Sequence, residues 1–378
     1  MSSYAASDSY LLIDELEEAL AAGDGRDCEK IIQSVADLFM AGSRRYSDEQ
    51  IALFDDVLLR LAAEIEMKAR AKLAQRLAWV NNAPPRLIRT LAFDEAIDVA
   101  RPVLSFSPRL SDADLVENAK IKSQDHLYAI GRRSTLSEGI TDVLIERGND
   151  RVVRALARNT GANLSAPGYG KLTDRAIADS VLAFGMVQRG DIPRQYLIKL
   201  IETASANVRE VLEAANPQAI AAIRETVDEV AGAMHQEARE ASREHAAAVR
   251  DAGQRFKTGE VTEENVRAPA RSQNFEKTVV ALAKLGPFPV ELVERALIDE
   301  GGDMVLILAK AARCSWATTK DLLLMFAASR SISPADLGSA HASFERLSPE
   351  TARRIVNFRE QRAKVRAQLN AQGSGAQD

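Results

Sequence analysis

Residues 110–165 read LSDADLVENAKIKSQDHLYAIGRRSTLSEGITDVLIERGNDRVVRALARNTGANLS, and the second half of that stretch sets the expectation for the whole chain. Counted from Ser137, the apolar residues Ile140, Leu144, Val152 and Leu156 stand at offsets of 3, 7, 15 and 19. Two residues four apart share one face of a helix, and the gap between the pairs leaves room for a tight turn. The same offsets from Pro84 give Leu87, Leu91, Val99 and Val103. From Pro193 they give Tyr196, Leu200, Val208 and Leu212, and from Pro289 they give Leu292, Ala296, Met304 and Leu308. This spacing predicts one α-hairpin used four times.

Start, break and end signals agree with it. Proline suits three of the origins because the first turn of a helix has no use for the missing N–H, and Ser137 caps instead. Turn residues fall mid-hairpin at Gly148-Asn149-Asp150, Ala206-Asn207 and Gly301-Gly302-Asp303, while the first segment has Phe93-Asp94 there. Asn159-Thr160-Gly161 and Asn216-Pro217 close the second and third segments.

Working outward, Asp8 or Ser9 caps a first helix carrying Leu11, Leu12, Leu16 and Leu20. A second runs through Ile31, Val35 and Leu38, and Ser47-Asp48 opens a longer third. Between the third and fourth hairpins, apolar positions from Ile220 through Val227 and Met234 to Phe256 step by three or four, which predicts one continuous helix over 220–256. Its alanine-rich stripe buries little area alone, so it lies against a neighbour or pairs with a second chain as a homodimer. Residues 257–274 are polar, contain Pro269, and read as a linker. Helices follow over 322–328, 334–344 (Ser333 cap) and 349–366 (Ser348 cap). The chain therefore divides into an N-terminal cap (1–45), a hairpin array (46–217), the long helix (218–256), the linker, a C-terminal hairpin unit (275–366) and a disordered tail (367–378).

Composition narrows the function classes. The formal charge of −5 argues against a chain-wide nucleic-acid footprint. Cys28 and Cys314 are far apart and not in CxxC spacing, which fits a reducing cytosol without a disulfide framework. The N-terminus lacks the basic and apolar regions of a signal peptide, and no window has the ~18 apolar residues of a membrane span. A cytoplasmic protein that binds neither nucleic acid nor membrane is the expectation.

The run IDVARPVLSFSPRLSDADLVENAKIKSQDHLYAIGRR, with ITDVLIERGNDRVVRALARNTGANLS and the later RGDIP, resembles a bacterial family, mainly alphaproteobacterial, catalogued as domain of unknown function 2336. The resemblance extends from Ala92 to about Arg366. It implies an all-helical, HEAT-like fold and brings no catalytic or binding residues with it.

Chemistry-bearing patterns are few. His126, His235, His245 and His341 form no HExxH and stand beside no second ligand at metal spacing, so structural roles are expected and no metal or cofactor is. Gly168-Tyr169-Gly170-Lys171 lacks the glycine, the hydroxyl residue and the strand of a phosphate loop, and reads as a loop leading to a Thr173 cap. No nucleophile elbow or converging carboxylate pair marks an enzyme. Trp79 and Trp316 lie in or beside apolar helical runs, which favours core or inter-hairpin roles. One constellation stands apart: Arg151, Arg154 and Arg158 share a stripe opposite the Val152–Leu156 seam, with Arg132, Arg133 and Arg147 near in sequence. Arginine forks bind carboxylates and phosphates bidentately, and the alternative is a solvated face paired with Glu138, Asp142, Glu146 and Asp150.

The expectation is an all-α, HEAT-like α-solenoid of stacked helical hairpins with one long inserted helix. Such a stack offers an extended face to partners, which makes a non-catalytic scaffold or regulatory adaptor for another protein the leading reading. An acidic peptide or a phosphorylated ligand on the arginines is the expected partner chemistry. A small-molecule or nucleotide-signal sensor and an enzyme with an unfamiliar site are the rivals.

Overall fold

The computed structural model describes residues 28–255, 261–299, 301–325 and 333–373, and it is all-helical, with 21 α-helices and no strand among those residues. The expected first helix around Leu11–Leu20 lies outside them. None of the described helices is long and apolar enough to cross a membrane. The chain falls into two compact units, one ending at Asp191 and the other beginning at Ile192.

The first unit contains α1 (Cys28–Gly42), α2 (Asp48–Glu64), α3 (Met67–Leu77), α4 (Pro85–Ala92), α5 (Ile97–Phe106) and α6 (Asp112–Ile121). It continues with α7 (Gln124–Gly131), α8 (Glu138–Arg147), α9 (Asp150–Arg158), α10 (Ala166–Ala176) and α11 (Ser180–Val187). Side chains that satisfy the free N–H groups of a first turn start several of them. Ser47 and Ser111 build capping boxes with Gln50 and Asp114, and Asn149 accepts from Val152 N–H. Most helices pack on the next but one: α3 on α5, α5 on α7, α7 on α9 and α9 on α11, with α2 on α4, α6 on α8 and α8 on α10 beside them. Odd-numbered helices thus form one layer and even-numbered helices another. Leu87, Leu91, Val99 and Val103 are buried between the layers, as are Ile140, Leu144, Val152 and Leu156. The Gly168 region corrects the sequence reading. It is not a loop but the first turn of α10, capped by Ser165, and Thr173 is buried mid-helix donating to the Tyr169 carbonyl.

The second unit contains α12 (Arg194–Ala215), α13 (Ile220–Ala241), α14 (Arg243–Arg255), α15 (Glu263–Arg271) and α16 (Phe275–Leu285). It ends with α17 (Val290–Ile298), α18 (Asp303–Ala311), α19 (Trp316–Leu324), α20 (Pro334–Arg346) and α21 (Pro349–Gly373). Its core gathers Val279, Leu282, Val293, Leu297, Val305 and Leu308, with Met304, Cys314 and Phe344 around them. Gly302 opens α18 at φ 69°, a left-handed position that suits glycine.

Four expectations fail in this unit, each for a local reason. The third hairpin does not form: α12 runs unbroken through Ala206-Asn207, because neither residue stops a helix and α13 packs along it. Val208 is consequently 51% exposed instead of buried. The helix expected over 220–256 is broken at Ser242, whose backbone is extended and whose hydroxyl accepts from His245 N–H, so that it ends α13 and caps α14. The expected linker 257–274 holds α15, started by a Thr262–Asn265 capping box and anchored by buried Val266 and Ala270, with Pro269 tolerated near its end. Two apolar residues are too few to show as a period. Finally, α21 continues past 366 to Gly373, into the stretch expected to be disordered.

Candidate functional site

The six arginines singled out from the sequence do not share one face. Arg133 donates to the carbonyls of Leu104 at 2.7 Å and Ser107 at 2.9 Å, closing the C-terminal end of α5. Arg147 does the same for α6 through the Ala119 carbonyl. Two arginines outside the set repeat the arrangement: Arg175 reaches the Gly148 carbonyl at 2.8 Å, and Arg189 reaches Asn159 and Ala162 at 2.6 and 2.8 Å. A cation at the negative end of a helix satisfies carbonyls that have no partner within it. Arg133 and Arg147 are therefore fasteners, and burial pushes the Arg133 guanidinium below its usual range.

The stripe on α9 is partly neutralised, by acids other than those expected. Arg151 lies 3.9 Å over the Tyr128 ring and donates to Asp125 at 2.8 Å. Arg154 donates to Asp179 at 2.7 Å, and that bond, with the Leu182 and Val181 N–H groups, outweighs burial and holds the Asp179 carboxyl below the ordinary range. Arg158, at the other end of α9, is exposed and pairs with no carboxylate among the described residues.

The loops explain this split. Those joining each odd helix of the first unit to the next even one are zipped together at one end. Asn82 donates to the Ser43 carbonyl, Trp79 stacks on Phe106 with ring centres 4.2 Å apart, and Arg133 reaches Ser107. Asn159 then donates to the Arg133 carbonyl at 2.7 Å, beside an isolated parallel bridge between Leu136 and Ala162. The opposite end is zipped separately: Lys122 pairs with Glu95, His126 Nε2 lies 2.9 Å from the Asp94 carbonyl, and Gln124 bonds Arg147 and Asn149. The two ends differ in charge. Loops 43–47, 78–84, 107–111, 132–137 and 159–165 contain five arginines and no Asp or Glu. Their counterparts at the other end carry Glu66, Asp94, Glu95 and Asp179 against Lys122.

Trp79 meets one of the two roles read from the sequence: it links helices, stacking from the end of α3 on Phe106 of α5. It is not core: 67% of it is exposed, and its partner Phe106 is 46% exposed. Trp316 is half-buried against the second unit's core, tilted over His341 and Phe344. Nothing local in the sequence distinguishes the two tryptophans. The difference is that Trp79 follows the last turn of its helix, where the chain leaves the layer.

The second unit holds a buried ionic cluster that the sequence does not reveal. Arg194 forks onto Glu276 with two 2.7 Å bonds and reaches Glu294 at 2.7 Å, all three side chains being at most 6% exposed. Arg239 forks onto Glu294 at 3.2 and 3.0 Å and also pairs with Glu291, and His245 Nδ1 lies 2.8 Å from Glu276. Burial would raise the Glu276 carboxyl, but the bonds from His245 and Arg194 outweigh it and hold it below the usual range. His235 is buried nearby, 3.6 Å from Glu202, and burial lowers its pKa. Both oxygens of each buried glutamate are engaged by guanidinium groups, so the cluster ties α12, α13, α14, α16 and α17 together and leaves no free carboxylate for proton transfer. Among the described residues no group of His, Cys, Asp and Glu is placed to hold a metal ion.

Residues 99–357 match the model of a family described as an uncharacterised protein conserved in bacteria, DUF2336. No curated protein and no solved structure matches the chain.

Proposed function

The chain belongs to the DUF2336 family of bacterial proteins, and from that premise we propose that it is a non-catalytic cytoplasmic scaffold or adaptor that binds another protein. We read the two layers of the first unit as a HEAT-like solenoid, in which hairpins bury a core between neighbours and leave the loop ends free for partners. One observation carries the proposal: the stacked pair of Trp79 and Phe106, the last residue of α5, stands uncovered at an end whose loops are pinned by hydrogen bonds. Large aromatic side chains on a rigid frame bind at low entropic cost and are enriched at interaction hot spots. The sensor reading draws less support, because its six arginines are divided between two ends and two of them are spent on helix carbonyls.

Site-specific photo-cross-linking in living cells tests this. A benzophenone side chain at position 79 of the full chain is expected to give discrete protein adducts, and one at Glu95, on the opposite end, is not. No adduct from position 79, or the same adducts from both, overturns the proposal.

A further inference from the structure

The partner's chemistry follows from what lines the basic loop end of the first unit. We propose that this end binds an extended acidic peptide segment carrying one aromatic or large aliphatic residue, an inference that rests on the adaptor reading above.

Successive odd helices present one side chain each at this edge. Trp79 follows α3, Phe106 ends α5, Arg132 follows α7 and Arg158 ends α9, at intervals of 27, 26 and 26 residues. The cross-links from Trp79 to Phe106, Ser107 to Arg133 and Arg133 to Asn159 hold these positions in that order along the edge. Arg132 and Arg158 are exposed and pair with no carboxylate among the described residues, and Arg132 is steadied 6.0 Å from the Tyr128 ring. Arg44, Arg45 and Arg109 are likewise exposed on the same set of loops. Loop arginines free of carboxylate partners, running on from an apolar platform, are complementary to a ligand that is acidic at one end and apolar at the other.

The spacing favours a peptide. Packed helices lie about 8–10 Å apart, and an extended chain advances about 3.3 Å per residue. A carboxylate on Arg132 and another on Arg158 are therefore roughly three residues apart, with the aromatic residue on Trp79 about six residues from the first. Exposed Asp48, Glu49, Asp112 and Glu138, in the first turns of the even helices, flank the same end. Those carboxylates are tolerable beside a ligand with spaced charges, and they repel a polyanion with a phosphate at every step. A nucleic acid is thus the less favoured occupant, although stacked aromatics also suit bases.

The test is selection from an unbiased display library of random 12-residue peptides against the full-length protein, with a random 20-nucleotide single-stranded DNA pool in parallel. The expected result is enrichment of peptides with two acidic residues two to four apart and an aromatic or large aliphatic residue beyond them. A fluorescently labelled winner should bind at least tenfold more weakly to the Arg132→Glu/Arg158→Glu double variant and to Trp79→Ala. It should bind almost unchanged to Lys120→Glu, a charge reversal in the last turn of α6 at the other end, and weaken as salt rises. Circular dichroism of the variants separates lost binding from lost folding. Enriched peptides that are neutral or basic, preferential enrichment of the DNA pool, or equal loss with Lys120→Glu each overturn the proposal. If cross-linking at position 79 still captures a protein in those cases, the adaptor reading stands and only the acidic-peptide chemistry falls.

Discussion

Arg194 shows what a single residue does here. Its guanidinium is enclosed with two carboxylates, and removing one member of such a buried set strands the others. Arg194→Ala is expected to cost about 3–5 kcal/mol, the range for breaking a buried ion pair from one side, measurable by denaturant unfolding. The cluster also sets an acid limit. Glu276 titrates lower in the folded state than in the unfolded one, so its contribution is complete above the ordinary glutamate range near 4.3 and is lost as pH falls through the depressed value. His235 adds to this: burial lowers its folded pKa, so stability is complete above about 6.5 and declines as pH drops below it. Midpoints measured from pH 8 to pH 4 should fall monotonically, and His235→Leu should remove the loss that begins near pH 6.5. An unchanged profile in that variant would assign the early loss elsewhere. None of this was legible in the sequence, because Arg194 meets partners 82 and 100 residues away and each charge alone looks like a solvated one.

At the scale of elements, the sequence was readable wherever a break was chemically enforced. Gly148-Asn149 ends one helix and starts the next, Gly302 opens α18, and Val152 and Met304 are buried as their offsets require. Ala206-Asn207 enforces nothing, so the same offsets run along a single helix and Val208 faces solvent. Val152→Asp should therefore cost several kcal/mol, since it buries an unpaired charge. Val208→Asp should change stability by less than about 0.5 kcal/mol, as exposed substitutions do. Thermal melts of the two variants compare the positions directly, and equal losses would contradict the difference in packing. Ser242 fails in the other direction, as a residue ordinary within a helix that here turns the chain, visible only through its bond to His245. The loop ends were half legible: their arginines could be counted, but which were spent on carbonyls depended on a helix two places earlier.

Across the whole molecule, both units are held by contacts between near neighbours in the chain, and the second adds pairings that are distant in sequence, α15 with α19, α18 with α21 and Arg194 with Glu294. The second also encloses Cys314, 6% exposed, whose thiol is pushed up to about 12 by burial with the Glu263 charge adding to it. A thiol so placed is a stopwatch for that unit. At pH 8 it is neither ionised nor reachable, so a maleimide consumes it only in the moments when the unit opens. In a Cys28→Ser background, labelling should be orders of magnitude slower than for a free thiol and should quicken sharply in Arg194→Ala. Rapid labelling of the folded protein, detected by mass, would show that Cys314 is less enclosed than its surroundings require. The opening of the second unit can in this way be timed from one sulfur atom.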